Sequence, residues 1–140
     1  MKIVIDTNVL ISGIFFGGFP RAVIESVVEK TVEACASVEM IAEYEEIVKQ
    51  MLSKKQGHFS GDILSPFIQS LNIIVPNTKV DICRDPDDNK FIECAIDSGA
   101  VYIVSGDMDL LVLEKFKSIE ILTAKEFVEK HLDAKDISTL

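Results

Sequence analysis

Five short apolar runs, separated by amphipathic stretches, restrict this 140-residue chain more than any other feature. They lie at residues 3–5, 32–36, 73–75, 101–104 and 119–122. Each has the length of a strand, and most are rich in Val and Ile. Strands that alternate with helical patterns build βαβ units, so the expected class is α/β, with helices covering a central, mostly parallel sheet of four or five strands. Between the runs, residues 21–30 read as a helix started at Pro20. Ser37 caps a longer helix that ends near residue 54. Residues 60–71 are helical, with Pro66 either kinking a long helix or starting a short one after Ser65. Residues 88–98 form a helix closed by Gly99. Thr123 and Glu126 make a capping box for a last helix to about His131. Residues 1–131 are expected to be one domain and residues 132–140 a loose tail.

The remaining bulk properties narrow the function classes. No run approaches the roughly 18–20 apolar residues of a membrane span. Met1-Lys2 leads straight into the first run without a signal-peptide pattern, so a cytoplasmic protein away from membranes is expected. Cys35, Cys83 and Cys94 are odd in number and widely spaced, which suits reduced thiols packed as small hydrophobes. His58 and His131 are the only histidines and stand far apart. An imidazole-rich metal site and a histidine-based triad are therefore unfavoured. The net charge of −9 provides no basic footprint for duplex nucleic acid. That objection weakens if some of the acids hold a divalent cation.

The acids are placed where such a cation would sit. Asp6 ends the first run and Asp107 follows the fourth, and ligands of open α/β sheets bind at the carboxyl ends of strands. Asp6 also fits as a cap for a segment starting at Thr7 or Asn8. Asp85-Pro86-Asp87-Asp88-Asn89 is the densest acidic stretch, and Asp and Pro are turn formers. Asp88 differs from its neighbours because it lies one turn before the apolar stripe of Phe91, Ile92, Ala95 and Ile96. Glu93 and Asp97 fall off that stripe and read as solvated. Asp107 or Asp109 would cap a helix suggested by Leu110, Leu111 and Leu113. On the Ser37 helix, Glu43 and Glu45 border the apolar face on opposite sides, and periodicity does not choose between them. Carboxylates without histidine or thiolate partners suit hard cations such as Mg2+ and Mn2+, and hence phosphate-ester chemistry.

In this order, the residues resemble a PIN domain. The likeness lies in Asp6-Thr7-Asn8-Val9-Leu10, Ser37 with Glu43, Asp88 with Ala95 and Gly99, and Ser105-Gly106-Asp107-Met108-Asp109-Leu110-Leu111. It covers roughly residues 1–127 and is closest to the small prokaryotic, VapC-like kind described as the toxin component of toxin–antitoxin pairs. The resemblance implies a three-layer α/β/α sandwich with an acidic pocket at the strand carboxyl ends. It implies a metal-dependent ribonuclease in which Asp6, Glu43, Asp88 and Asp107 form the catalytic and metal-holding quartet, with Glu43 acting directly or through water. The family pattern thus takes Glu43 over Glu45. Asn8 matches the polar residue that supports the first acid, and Ser105 the hydroxyl position beside the fourth, where many members have Thr. Asp109 matches a further acid found in some members. Asp85 and Asp87 have no assigned match.

The leading expectation is thus an endoribonuclease using one or two Mg2+ or Mn2+ ions. Metal-activated water would cleave RNA to leave 5′-phosphate and 3′-hydroxyl ends. Arg84, Lys90, Lys54 and Lys55 are candidates for holding RNA phosphates, with surface solvation as the plainer role for each. A second reading is a catalytically weak binding partner that pairs with an antitoxin or forms a homodimer. Phe15, Phe16 and Phe19 would be its contact surface, although core positions suit them better. A third is another Mg2+-dependent phosphohydrolase resembling the haloacid dehalogenase class. Those enzymes use Asp-x-Asp after the first strand, and Asn8 stands at the second position here.

Overall fold

The computed structural model describes residues 1–54 and 62–132. Lys55 and the tail from residue 133 lie outside the described residues. The five apolar runs fold, within a residue or two, as β1 (Lys2–Ile5), β2 (Glu33–Ser37), β3 (Asn72–Ile74), β4 (Tyr102–Val104) and, after a short intervening strand, β6 (Ile119–Leu122). All five pair in parallel. The intervening strand, β5 (Lys115–Phe116), pairs antiparallel with β6 at one edge, so among the described residues the sheet has six strands where four or five were expected. β5 is too short for a period to register. Glu114 and Lys117, on either side of it, both have left-handed φ values, of 56° and 55°.

Among the described residues, seven α-helices flank the sheet: α1 (Thr7–Phe15), α2 (Gly18–Val28), α3 (Val38–Lys54), α4 (Leu64–Ser70), α5 (Asn89–Ser98), α6 (Met108–Leu111) and α7 (Ala124–His131). Ser37 Oγ accepts the Met40 N–H at the start of α3. Both halves of the Thr123–Glu126 capping box are made at the start of α7. Gly99 closes α5 in the left-handed region at φ 76°. Among the described residues Pro66 lies inside the first turn of a short helix, where its missing N–H costs nothing. α1 has only a narrow polar edge, Asn8 and Ser12, too little to produce a period. Val9, Leu10, Ile11, Ile14 and Phe15 are all buried, as in a helix packed on several sides. Phe15 is core and Phe19 half-buried, but Phe16 is 67% exposed at the corner between α1 and α2. These helices approach closely at Gly13. A Cβ there would meet the Pro20 carbonyl carbon at 2.9 Å and would also collide with Ile24 Cδ1.

The sheet order is β3-β2-β1-β4-β6-β5. The chain therefore builds outward from β1 through β2 to β3, then returns to place β4 on the other side of β1. That reversal makes β1 and β4 the topological switch point, where the crossovers diverge and leave a crevice beyond the strand ends. In their register Ile5 is opposite Val104. One step further, Asp6 N donates to Val104 O at 3.0 Å. Asp6 and Ser105 thus leave the sheet side by side at the mouth of the crevice. No single helix among the described residues is long and apolar enough to cross a membrane.

Candidate metal centre

Asp6 is buried and occupies the cap of α1, accepting the Asn8 N–H at 3.3 Å. Its other oxygen accepts the Ser105 hydroxyl at 2.6 Å. Ser105 Oγ in turn accepts the Asp107 N–H at 2.9 Å. The cap reading and the crevice reading of Asp6 are therefore both true of one side chain. Burial raises its pKa above the ordinary value, against the Ser105 and Asn8 hydrogen bonds, while Asp107 and Glu43 push it further up. Asn8 supports Asp6 through its backbone, and its own residue surface is exposed.

Asp107 caps α6, its Oδ1 accepting the Asp109 N–H at 2.9 Å. Gly106, just before Asp107, has no positive φ and has open space where a Cβ would stand, so the turn there does not require glycine. Asp85 is pure turn chemistry, accepting the Asp87 N–H at 3.0 Å ahead of a single 3₁₀ turn at Pro86–Asp88. Asp88 behaves differently. It occupies the cap position of α5 yet makes no capping hydrogen bond. It is only 8% exposed, and its Oδ2 is buried without a partner. A buried carboxylate oxygen with nothing to accept from is costly. Burial pushes the Asp88 pKa up to about 7, and the charges of Asp107 and Asp6 add to the effect.

Oxygen atoms of Asp88, Asp107 and Asp109 lie within 4.8 Å of one another. An all-carboxylate set of this kind, with one unsatisfied buried oxygen, fits a hard divalent cation such as Mg2+ or Mn2+. A bound cation would satisfy Asp88 and relieve the repulsion that raises its pKa. The structure thus brings Asp6, Asp88, Asp107 and Asp109 to one crevice.

Glu43 faces the same crevice from α3, half-buried, whereas Glu45 is exposed. Glu43 is already engaged. Its Oε2 accepts the Thr7 hydroxyl and its Oε1 lies 2.9 Å from Lys90 Nζ. This corrects both readings of Lys90, since it is neither a phosphate-holding surface lysine nor a solvated one. Its side chain is 7% exposed and donates to the Asp87 carbonyl at 2.6 Å. Burial alone would lower its pKa, but Glu43 and Asp87 more than offset that and raise it. Arg84 is exposed as expected, yet its Nε lies 3.1 Å from Asp109 Oδ1. Lys54 is exposed at the end of α3.

Three residues near the centre escaped the sequence reading. Thr7, the hydroxyl donor to Glu43, was visible only as part of Asp-Thr-Asn. Tyr44 is buried and donates to the Ile5 carbonyl at 2.6 Å, tying α3 to the strand end that carries Asp6. Asn89 accepts the N–H groups of Ile82 and Cys83 at 3.3 and 3.0 Å. Glu93, read as solvated, is buried and accepts the Val80 N–H at 3.0 Å. Asp97 is exposed but accepts from Asn77 and Thr78. One face of α5 thus fastens the segment that leads into the acidic stretch.

A family model described as PIN domain matches residues 2–109, a span that includes all of these acids. The chain is also 36% identical to the uncharacterized protein MJ1680 of Methanocaldococcus jannaschii, over 93% of this chain and 91% of that protein. No solved structure matches the chain. PIN domains are generally nucleases, and a buried acidic cluster suited to a metal is present in this one. With carboxylates meeting at the switch point of a parallel sheet and a family match running from β1 to the Asp107–Asp109 turn, the chain belongs to the PIN domain family.

Proposed function

We propose that the protein is an endoribonuclease that hydrolyses RNA phosphodiester bonds with Mg2+ or Mn2+ held by Asp88, Asp107 and Asp109, with Asp6 beside them. The observation that carries this reading is the buried, unpartnered Asp88 Oδ2 beside two further carboxylates. When bound, such an ion lowers the pKa of water and neutralises phosphate charge. The protein's own groups orient the ligands. Ser105 holds Asp6 and fixes the Asp107 backbone, while the Asp109 N–H holds Asp107 Oδ1. A cavity of about 360 Å3 adjoins Ser105 and is lined by Asn8, Ser12, Phe19, Thr123 and Lys125 among others. Its wall is mainly apolar, and the amide, hydroxyl and ammonium groups of Asn8, Ser12, Thr123 and Lys125 are the ones a ribose-phosphate chain would meet.

The test is cleavage of single-stranded RNA, with and without Mn2+, by the wild type and by Asp6→Asn and Asp88→Asn. Metal-stimulated cleavage lost in both variants is the expected result. Equal cleavage by wild type and variants would sink the assignment, and equal cleavage of single-stranded DNA would remove the RNA part of it. The toxin role rests on the resemblance to VapC-like proteins. Exposed Phe16 supports a partner contact at the α1–α2 corner, with an antitoxin or a second copy as occupant. Growth arrest on expression that depends on Asp88 tests that role.

A further inference from the structure

We propose that Lys90 is a resident cation of the acidic centre, its ammonium standing beside Glu43 where a second divalent ion would bind. The centre then takes one metal ion rather than two. This rests on the metal-dependent reading above and adds what limits the number of ions.

The geometry leaves Lys90 little freedom. An ammonium has three protons to give. The acceptors around Nζ are Glu43 Oε1 at 2.9 Å, the Asp87 carbonyl at 2.6 Å and Asp87 Oδ2 at 3.5 Å. A lysine this deeply buried is costly unless paired, and the pair is hard to separate because Lys90 would be left as an uncompensated buried charge. Glu43 is held from its other side by the Thr7 hydroxyl. Each of its oxygens therefore has a donor supplied by the chain.

The aspartates differ. Asp88 Oδ2 has no donor, and the oxygens of Asp88, Asp107 and Asp109 come within 4.8 Å of one another without Glu43. Asp109 does pair with Arg84, but that cation is 88% exposed, whereas the cation on Glu43 is buried, so the aspartates keep one buried oxygen without a donor and Glu43 keeps none. Paired ions in two-metal hydrolases sit about 3.5–4 Å apart and share carboxylates. A fixed ammonium on Glu43 removes the carboxylate that a second ion would need and adds a like charge beside it. In this arrangement Lys90 is a positioning residue for Glu43 and an electrostatic substitute for a metal.

The experiment is a Mn2+ titration of the full chain, with bound ions counted by calorimetry and by electron paramagnetic resonance. Wild type should bind one ion and give the spectrum of an isolated Mn2+ at saturation. Lys90→Gln should bind two and show spin coupling. Lys90→Arg should bind one, and Lys90→Gln combined with Glu43→Gln should return to one. A spin-coupled pair in the wild type would overturn the proposal without any variant, so it stays testable even if Lys90→Gln fails to fold. A folded Lys90→Gln that binds a single ion would overturn it too, while leaving the metal-dependent reading intact. Absence of binding by wild type would overturn both.

Discussion

The Ser105 hydroxyl donates to Asp6 Oδ2 at 2.6 Å across the seam between β1 and β4. A hydroxyl has one proton, so this bond fixes which way Ser105 points and leaves its lone pairs for the Asp107 N–H. One buried side chain therefore sets the position of two acids. Ser105→Ala should weaken Mn2+ binding about 10–100-fold, the usual effect of losing a group that orients ligands. Ser105→Thr keeps the hydroxyl and should stay within a few-fold of wild type. Calorimetric Mn2+ titration of the two variants checks this, and equal affinities for the Ala and Thr proteins would contradict it.

Asp88 makes the metal-free protein sensitive to pH. Its folded-state pKa is about 7 against the usual 3.8. Between those values the unfolded chain binds fewer protons than the native one, so stability falls as pH rises from about 4 to about 7 and stays low above that. Asp88→Asn removes the titration. Without metal it should melt higher than wild type at about pH 8, with the difference closing near pH 4. Thermal unfolding in the presence of a chelator measures both arms.

The same proton competes with the ion. Mn2+ affinity should rise by about tenfold per pH unit below about pH 7 and level off above it, with close to one proton released per ion bound at the lower pH. Calorimetry in buffers of different ionisation enthalpy counts the released protons. An affinity independent of pH between about 5.5 and 7 would show that Asp88 is not where the ion binds.

Tyr44→Phe removes the bond to the Ile5 carbonyl without changing the packing of the ring against Phe67. The expected cost is about 1 kcal/mol, read from urea unfolding. RNA cleavage should fall as well if this bond helps place Asp6.

Asn89→Ala leaves the Ile82 and Cys83 N–H groups without their acceptor. Hydrogen exchange at these two amides should accelerate well ahead of exchange in β1 and β4. Unchanged protection at both would show that the segment is held by other contacts.

Much of this architecture is legible in the sequence because the deciding signals are local. Strand runs, the Ser37 cap, the Thr123–Glu126 box and Gly99 each depend on neighbours within a turn or two. The four aspartates are legible for the same reason, each being tied to a strand end or helix start, whereas Glu43 lies within α3 and is picked out only by the family resemblance. What stayed hidden depends on distant partners. Lys90 and Glu93 look like surface charges until Glu43 and Val80 are seen beside them. The apolar stripe after Asp88 sets it apart from Asp85 in the sequence, but its burial and its missing hydrogen bond appear only in the fold. α1 gave no period because nearly all of it is buried, and β5 gave none because it is two residues long.

The tight crossing at Gly13 gives α1 the character of a lever arm. Asp6 and Thr7, at the helix's first turn, lie about 10 Å from that fulcrum along the axis. A single methyl group on Gly13 would press on the Pro20 backbone and tilt the arm at its far end. Both the Ser105–Asp6 and Thr7–Glu43 bonds hang from that far end, so alignment of the acids is set in part by the thickness of one residue that touches none of them.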